Sequence, residues 1–103
     1  MSIHTQVSQD PPTVTISISG QFNAMLHREF RDAYKGRLEN PTKGHYIVDL
    51  GKTEYMDSAA LGMLLLLHEY AGGKSARVTI RNANQFIRDV LEIAKFDKMF
   101  DIV

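Results

Sequence analysis

The pair Asp57-Ser58 is the part of the sequence that most suggests chemistry, because it stands where a loop leads into a long apolar run. Serine and aspartate at such a position are preferred N-caps, since their side-chain oxygens accept hydrogen bonds from the unpaired N–H groups of the first helical turn. Residue spacing alone therefore favours a capping role for Ser58. A serine hydroxyl there can also accept a phosphoryl group, because a helix N-terminus tolerates the added charge of about −1.5 to −2.

Phosphorylation of Ser58 would change binding at this surface more than folding. The helix N-terminus favours a nearby negative charge by about 0.3–1 kcal/mol. Two like unit charges about 5 Å apart repel by roughly 3 kcal/mol at an effective dielectric constant of 20, which lowers an affinity more than a hundredfold. Two interpretations of Ser58 thus stay open, a helix cap and a phosphorylation switch.

Other reactive chemistry has little support in the sequence. The chain has no cysteine, which excludes disulfides, thiolate nucleophiles and cysteine-based metal sites. Its four histidines form no i, i+4 pair and lack the carboxylate spacing of a metal site. No nucleophile has a base and an orienting acid at a recognisable spacing. We therefore expect no catalytic site, no metal and no cofactor.

Composition indicates a single folded domain over residues 1–103. Hydrophobic residues make up 44% and charged residues 23%, which excludes intrinsic disorder. Twelve basic residues balance twelve acidic ones, which argues against binding to nucleic acid or anionic membranes. The longest apolar run, 59–67, is shorter than the roughly 20 residues of a membrane span, and no signal peptide is visible. We expect a cytoplasmic protein without membrane insertion.

The first half of the chain changes from a strand pattern to a helix pattern and back. β-branched and hydroxyl residues alternate over 13–19, which predicts a strand with one buried face that ends at Gly20. Apolar residues at helical spacing follow, with Asn23 as the N-cap and Pro41 as the stop. Residues 46–50 are a short apolar run, which predicts a central strand buried on both faces.

The second half repeats this alternation. A helix is expected to begin near Ser58 and to end at the following Gly-Gly pair. A strand over 77–81 leads into a third helix capped by Asn82 or Asn84, and residues 99–103 are expected to form a last short strand. The order predicts an α/β fold with at least partly parallel strands, because each helix supplies the crossover that a parallel pair requires.

The second helix is apolar over more than one stripe. Leu61, Leu64, Leu65 and His68 share one face, whereas Met63, Leu66 and Leu67 point elsewhere. Either both sides of this helix are buried, or one side is an exposed docking patch for a partner.

The segment 49–67, DLGKTEYMDSAALGMLLLL, resembles the central motif of the STAS domain, in particular that of stand-alone anti-sigma factor antagonists. The segment 18–23, ISGQFN, is similar to the strand-end loop of that family, and Phe86, Val90 and Phe96 suit its third helix and the segment after it. The resemblance implies a STAS fold, a mixed β-sheet with helices packed mainly on one face. The central motif is matched at Asp49, Leu50, Met56, Asp57, Ser58, Leu61 and Gly62.

The resemblance also implies a function. In such proteins the serine that corresponds to Ser58 is phosphorylated by a partner that is both an anti-sigma factor and a serine-protein kinase, and a serine phosphatase of the PP2C type reverses the reaction. Only the unmodified form binds the kinase, which then releases its sigma factor or another output protein. The residues implied to contact the partner are Gln21, Phe22, Asn23, Tyr55, Met56, Asp57, Ala59, Ala60, Gly62 and Met63.

The sequence departs from the family pattern at three places. Asn23 stands where many relatives have aspartate, so a negative charge near the phosphoserine is missing while the capping role is retained. Ala59 and Ala60 replace residues that are often Ser and Gly, which stiffens the first helical turn. Many antagonists also continue beyond the segment that corresponds to 99–103.

Two alternatives remain open. Some domains that resemble this one are soluble subunits bound to the ATPase of a lipid ABC transporter, without phosphorylation; the retained Asp57-Ser58 pair favours the antagonist. A more remote alternative is a receiver-like domain phosphorylated on Asp49. That chemistry requires an acidic pair at the end of the first strand to hold Mg²⁺, and the strand over 13–19 ends in serine and glycine instead.

Overall fold

The computed structural model describes residues 2–103, which form five strands and three α-helices. Short 3₁₀ turns lie at Ala24–Leu26, Pro41–Lys43, Gly73–Ser75 and Phe96–Lys98. In chain order the main elements are β1 (Ser2–Gln9), β2 (Pro12–Phe22), α1 (His27–Tyr34), β3 (His45–Met56), α2 (Ser58–Tyr70), β4 (Arg77–Arg81), α3 (Gln85–Ile93) and β5 (Asp101–Ile102).

The strands form one mixed sheet in the order β1-β2-β3-β4-β5. β1 is antiparallel to β2, and the remaining neighbours are parallel. Each parallel pair is joined through a helix, and right-handed crossovers between adjacent strands in one direction place all three helices on the same face. The predicted α/β fold and the mixed sheet with helices on one face are confirmed.

Burial along the central strand β3 alternates. Tyr46, Val48 and Leu50 are buried under the helices, whereas Ile47 and Asp49 on the other face are only partly covered. The prediction that 46–50 is central is confirmed, but the prediction that it is buried on both faces is wrong. Because the helices cover one face of the sheet, the side chains on the opposite face stay partly open to solvent.

Two strands extend beyond their predicted ends. β2 continues through Gly20 to Phe22, and β3 continues through Gly51. Two register shifts between these strands absorb the irregularity, as bulges do. Next to them the buried Thr53 donates its hydroxyl proton to the carbonyl oxygen of Ile18 at 2.7 Å. Strand β1, which the polar N-terminal sequence did not indicate, pairs with β2 over its whole length.

Helix α1 is shorter than the apolar spacing predicted. Its first turn is a 3₁₀ turn capped by Asn23, as expected, and the α-helix ends at Tyr34 rather than near Pro41. Gly36 has a φ of 73°, a left-handed backbone that stops the helix. Leu38 is still buried, but it lies outside the helix.

The later elements agree closely with expectation. α2 begins at Ser58 and ends just before Gly72, whose φ of 120° suits glycine. α3 is capped by Asn84, whose side-chain oxygen accepts a hydrogen bond from the N–H of Ile87 at 2.8 Å. The short last strand pairs in parallel with β4.

Candidate functional site

The ends of β2 and β3 bring the two sequence motifs together. In the parallel register Gln21 lies opposite Tyr55, and Phe22 lies opposite Met56. The residues that follow these pairs, Asn23 and Asp57, each cap the helical segment that starts beyond its strand. The loops that follow β2 and β3, which contain the two sequence motifs, therefore lie next to each other at the carboxyl ends of these strands.

The helix boundary separates Asp57 from Ser58. Asp57 is the N-cap of α2, and its Oδ1 atom accepts hydrogen bonds from the N–H groups of Ala59 at 3.0 Å and Ala60 at 3.2 Å. Ser58 is the first residue of the helix and is exposed. The capping role that spacing favoured for Ser58 therefore belongs to Asp57. Because Asp57 already caps the helix, the Ser58 hydroxyl is available for another role.

Asn23 has the capping role expected of it. Its Oδ1 atom accepts a hydrogen bond from the N–H of Met25 at 3.0 Å, and its Nδ2 atom lies 3.5 Å from Oε1 of Gln21. Because the side chain is a neutral amide, this loop adds no negative charge beside the start of α2.

Four of the residues expected to contact a partner are instead buried in the core: Phe22, Met56, Ala60 and Met63. The reason is periodic, since strand residues alternate between faces and every third or fourth helix residue points at the sheet. These four side chains pack in the hydrophobic core beneath the surface of the site. The remaining expected residues are open to solvent to differing degrees: Gln21, Asn23, Tyr55, Asp57, Ala59 and Gly62.

The structure adds Phe86 to this site, where it pairs with the expected residue Tyr55. The rings of Tyr55 and Phe86 are stacked, with centroids 5.7 Å apart and an interplanar angle of 15°, although the residues are 45% and 50% exposed. Asn84 holds α3 in place, since its Nδ2 atom donates to the carbonyl oxygens of Thr53 at 3.4 Å and Glu54 at 3.5 Å. The helical spacing of Phe86 fitted a core position as well as a surface position, so periodicity alone could not distinguish them.

Two further apolar surfaces lie on nearby elements. Met25, in the turn after Asn23, is 77% exposed. Leu65 and Leu66 on α2 are also exposed, whereas Leu64 and Leu67 are buried against the sheet. Helix α2 therefore has one exposed apolar side, and the alternative prediction that both of its sides are buried is wrong.

Asp49 lies on the open face of the sheet. Its carboxylate accepts hydrogen bonds from Arg81 Nε at 3.1 Å, Asn82 Nδ2 at 3.3 Å and the N–H of Gly51 at 2.9 Å. Partial burial by itself raises the pKa of Asp49, but the hydrogen bonds from Gly51, Asn82 and Arg81 outweigh burial, and its pKa lies below the ordinary value. These contacts are those of a structural carboxylate.

Two kinds of feature are absent from residues 2–103: a cluster of metal-binding side chains and a membrane-spanning helix. Within residues 2–103, histidine and acidic side chains nowhere gather in a group of three that could hold a metal ion. None of the helices described is long and apolar enough to cross a membrane.

Comparison with known proteins gives a consistent result. Residues 5–103 match the family model described as "Mlab, STAS domain". A STAS-domain containing protein of Pseudomonas aeruginosa, strain UCBPP-PA14, is 41% identical over 102 residues, which cover 99% of each chain. The receiver-like alternative for Asp49 is therefore wrong.

Solved structures share the fold at lower identity. An anti-sigma factor antagonist from Mycobacterium paratuberculosis is 20% identical with a TM-score of 0.72, and the match covers 98% of this chain and 85% of the other. The Bacillus cell fate determinant SpoIIAA in its phosphorylated form is 16% identical with a TM-score of 0.66, over 99% of this chain and 91% of the other.

Proposed function

Because the chain belongs to the STAS domain family, we propose that it is an anti-sigma factor antagonist whose binding is switched by phosphorylation of Ser58. The single observation that carries this proposal is the exposed hydroxyl of Ser58 at the first position of α2, beside a carboxylate that already caps the helix. A kinase can reach this hydroxyl without disturbing the cap.

A phosphoserine at position 58 would concentrate negative charge on the surface that a partner contacts. Two N–H groups of the first turn of α2 are already bonded to Asp57, so they are not available to neutralise a phosphate on Ser58. The phosphate adds about two negative charges to the single charge of Asp57, which gives a local charge of about −3. A partner that packs against this surface with apolar or acidic groups is repelled or must bury that charge.

The surroundings of Ser58 suit a protein partner. The stacked rings of Tyr55 and Phe86 and the exposed side chain of Met25 lie at the same end of the sheet as the start of α2. Exposed aromatic and methionine side chains supply large contact areas in protein interfaces. An apolar surface beside a charge switch is what a phosphorylation-controlled binding protein requires.

In this proposal the chain is a cytoplasmic regulator without catalysis of its own. Its unphosphorylated form binds an anti-sigma factor that is also a serine-protein kinase, and this releases the sigma factor or another output protein. The kinase transfers the γ-phosphoryl group of ATP to the Ser58 hydroxyl, with release of ADP and a proton, and this ends the complex. A serine phosphatase of the PP2C type hydrolyses the phosphoserine and restores binding.

The test is intact-mass spectrometry with peptide mapping of the protein from its own cells, with and without deletion of candidate kinases. The expected result is one phosphate on Ser58, lost when one kinase is deleted and absent from Ser58→Ala. Ser75→Ala, at another exposed serine, is the matched control and should still be phosphorylated. A phosphate mapped elsewhere, or none in any growth phase, would contradict the proposal.

A second candidate is a STAS subunit bound to the ATPase of a lipid ABC transporter. The observation in its favour is that the matching family model is described as an Mlab STAS domain and not by an antagonist role. Affinity purification distinguishes the two, because the second candidate predicts an ATPase that binds wild type and Ser58→Ala equally and a Ser58 that carries no phosphate.

A further inference from the structure

Strand β1 forms one outer edge of the sheet. It pairs with β2 from Ser2 opposite Ser19 to Gln9 opposite Pro12, in continuous register. The opposite side of β1 has no neighbouring strand within residues 2–103. Its outward N–H and C=O groups therefore form a row that can pair with another strand.

This edge lacks the usual protection against pairing. Soluble proteins place lysine, proline, bulges or very short strands at the edges of their sheets. The eight residues of β1, SIHTQVSQ, include no lysine, arginine, aspartate, glutamate or proline, and the pairing with β2 has no bulge. The other outer strand, β5, is two residues long and begins with Asp101. The two edges thus differ, and β1 is the one open to an added strand.

The sequence of β1 is self-complementary about Thr5. In an antiparallel pair of two copies centred on this residue, Ser2 lies opposite Ser8, Ile3 opposite Val7 and His4 opposite Gln6. Each pair joins side chains of the same class. We propose that β1 pairs with β1 of a second copy of this chain, with the two-fold axis at Thr5.

The apolar pair favours this register over its alternatives. Ile3 lies opposite the buried Ile18 and Val7 lies opposite the buried Val14, so both are on the helix-covered face. Val7 is 37% exposed at the edge of the core. The register centred on Thr5 places the partner's Ile3 beside Val7 and uses residues 2–8 in full. A one-residue slip would set the helix face of one copy beside the open face of the other.

The proposed dimer leaves both phosphorylation sites accessible. A two-fold axis through the middle of β1 reverses the strand direction of the second copy, so the two Ser58 surfaces face opposite ends of the joined sheet. β1 contains no lysine, arginine, aspartate or glutamate, and the formal net charge of the chain is zero, so repulsion between copies is small. Each copy can then bind its own partner molecule.

Cysteine substitution tests the register, because the chain has no native cysteine. In Thr5→Cys the two thiols face each other across the axis, and mild oxidation with copper-phenanthroline should yield a disulfide-linked dimer. In the matched control Ser8→Cys, residue 8 faces residue 2 of the other copy. Its two thiols lie about 20 Å apart at roughly 3.4 Å per residue and should not crosslink.

Light scattering coupled to size exclusion gives the second readout. We expect wild type at about 100 μM, far above a Kd in the micromolar range, to have twice the 11.6 kDa mass of the chain. Val7→Lys should be monomeric with an unchanged circular dichroism spectrum. A monomeric wild type overturns the proposal. So does crosslinking of Ser8→Cys as fast as Thr5→Cys, since it would place the contact on another surface.

Discussion

Asp57 Oδ1 lies 3.0 Å from the amide nitrogen of Ala59, while the side chain of Ser58, between them in sequence, is exposed. The helix cap therefore belongs to Asp57, while the phosphorylation that we propose belongs to the adjacent Ser58. A substitution at one of them should leave the role of the other intact.

Loss of the cap should lower stability without altering Ser58. We expect Asp57→Ala to reduce the free energy of unfolding by about 0.5–2 kcal/mol, because two N–H groups lose their acceptor. Asp57→Asn should retain most of it, since asparagine is an equally good N-cap. Urea denaturation at constant m-value measures both. If Ser58→Ala proved as destabilising as Asp57→Ala, the assignment of the cap would be wrong.

A permanent charge at position 58 should weaken the kinase complex. Ser58→Asp adds one negative charge beside Asp57, and a repulsion of up to roughly 3 kcal/mol predicts a loss of affinity from about tenfold to somewhat more than a hundredfold. Ser58→Ala should bind as the unmodified protein does. Isothermal titration with the kinase identified by mass spectrometry measures these affinities, with Ser75→Asp as the charge control. Equal affinity of wild type and Ser58→Asp would remove the proposed switch.

The aromatic pair should contribute to partner binding and little to folding. We expect Phe86→Ala to weaken the complex by about 1–3 kcal/mol, as aromatic residues in interfaces commonly do. Its effect on unfolding should stay near 1 kcal/mol, because the ring is half exposed. Ile93→Ala is a matched control on the same helix, since Ile93 is 82% exposed and lies near the opposite end of α3. Similar losses of affinity for both variants would contradict a specific role of Phe86.

The sequence predicted the alternation of strands and helices because each of those elements has one strongly apolar face. It did not predict β1, where Ile3 and Val7 are the sole aliphatic residues of the strand and its packing depends on β2. It also ended the strand over 13–19 at Gly20 and limited the central strand to 46–50, although Gly20 and Gly51 lie inside longer strands. The hydroxyl of Thr53 bonded to Ile18 helps to hold that irregular pairing together, and this contact is long-range.

The sequence predicts where the candidate site lies along the chain, but it does not predict which of its side chains are exposed. The motif identified Ser58 and its neighbours, whereas the burial of Phe22 and Met63 depends on which face each element turns to the sheet. The contact between Tyr55 and Phe86 depends on how α3 is fixed to β3 through Asn84. Such relations between distant segments are not encoded in local periodicity.

The carboxylate of Asp49 should make stability depend on pH in the acidic range. Its folded pKa lies below the unfolded value of about 3.9, so its contribution to stability is present above that value and is lost as pH falls through the folded pKa. Between pH 6 and pH 3 wild type should therefore lose more free energy of unfolding than Asp49→Asn. Arg81→Gln, which removes the ion pair, should show an intermediate loss. Parallel pH profiles of wild type and Asp49→Asn would contradict this.

Gly62 should show a conflict between stability and binding. It lies on the exposed side of α2, and a Cβ atom added there meets no heavy atom within 4 Å. Gly62→Ala should therefore raise the free energy of unfolding by up to about 1 kcal/mol, because alanine loses less backbone entropy in a helix. Gly62 lies one turn after Ser58 on the same helix, where a partner that contacts Ser58 can approach the backbone closely. The added methyl group should then weaken kinase binding even though the fold is more stable. Thermal unfolding and titration of the same sample measure the two effects. A gain in stability with unchanged affinity would show that the partner does not reach this turn of α2.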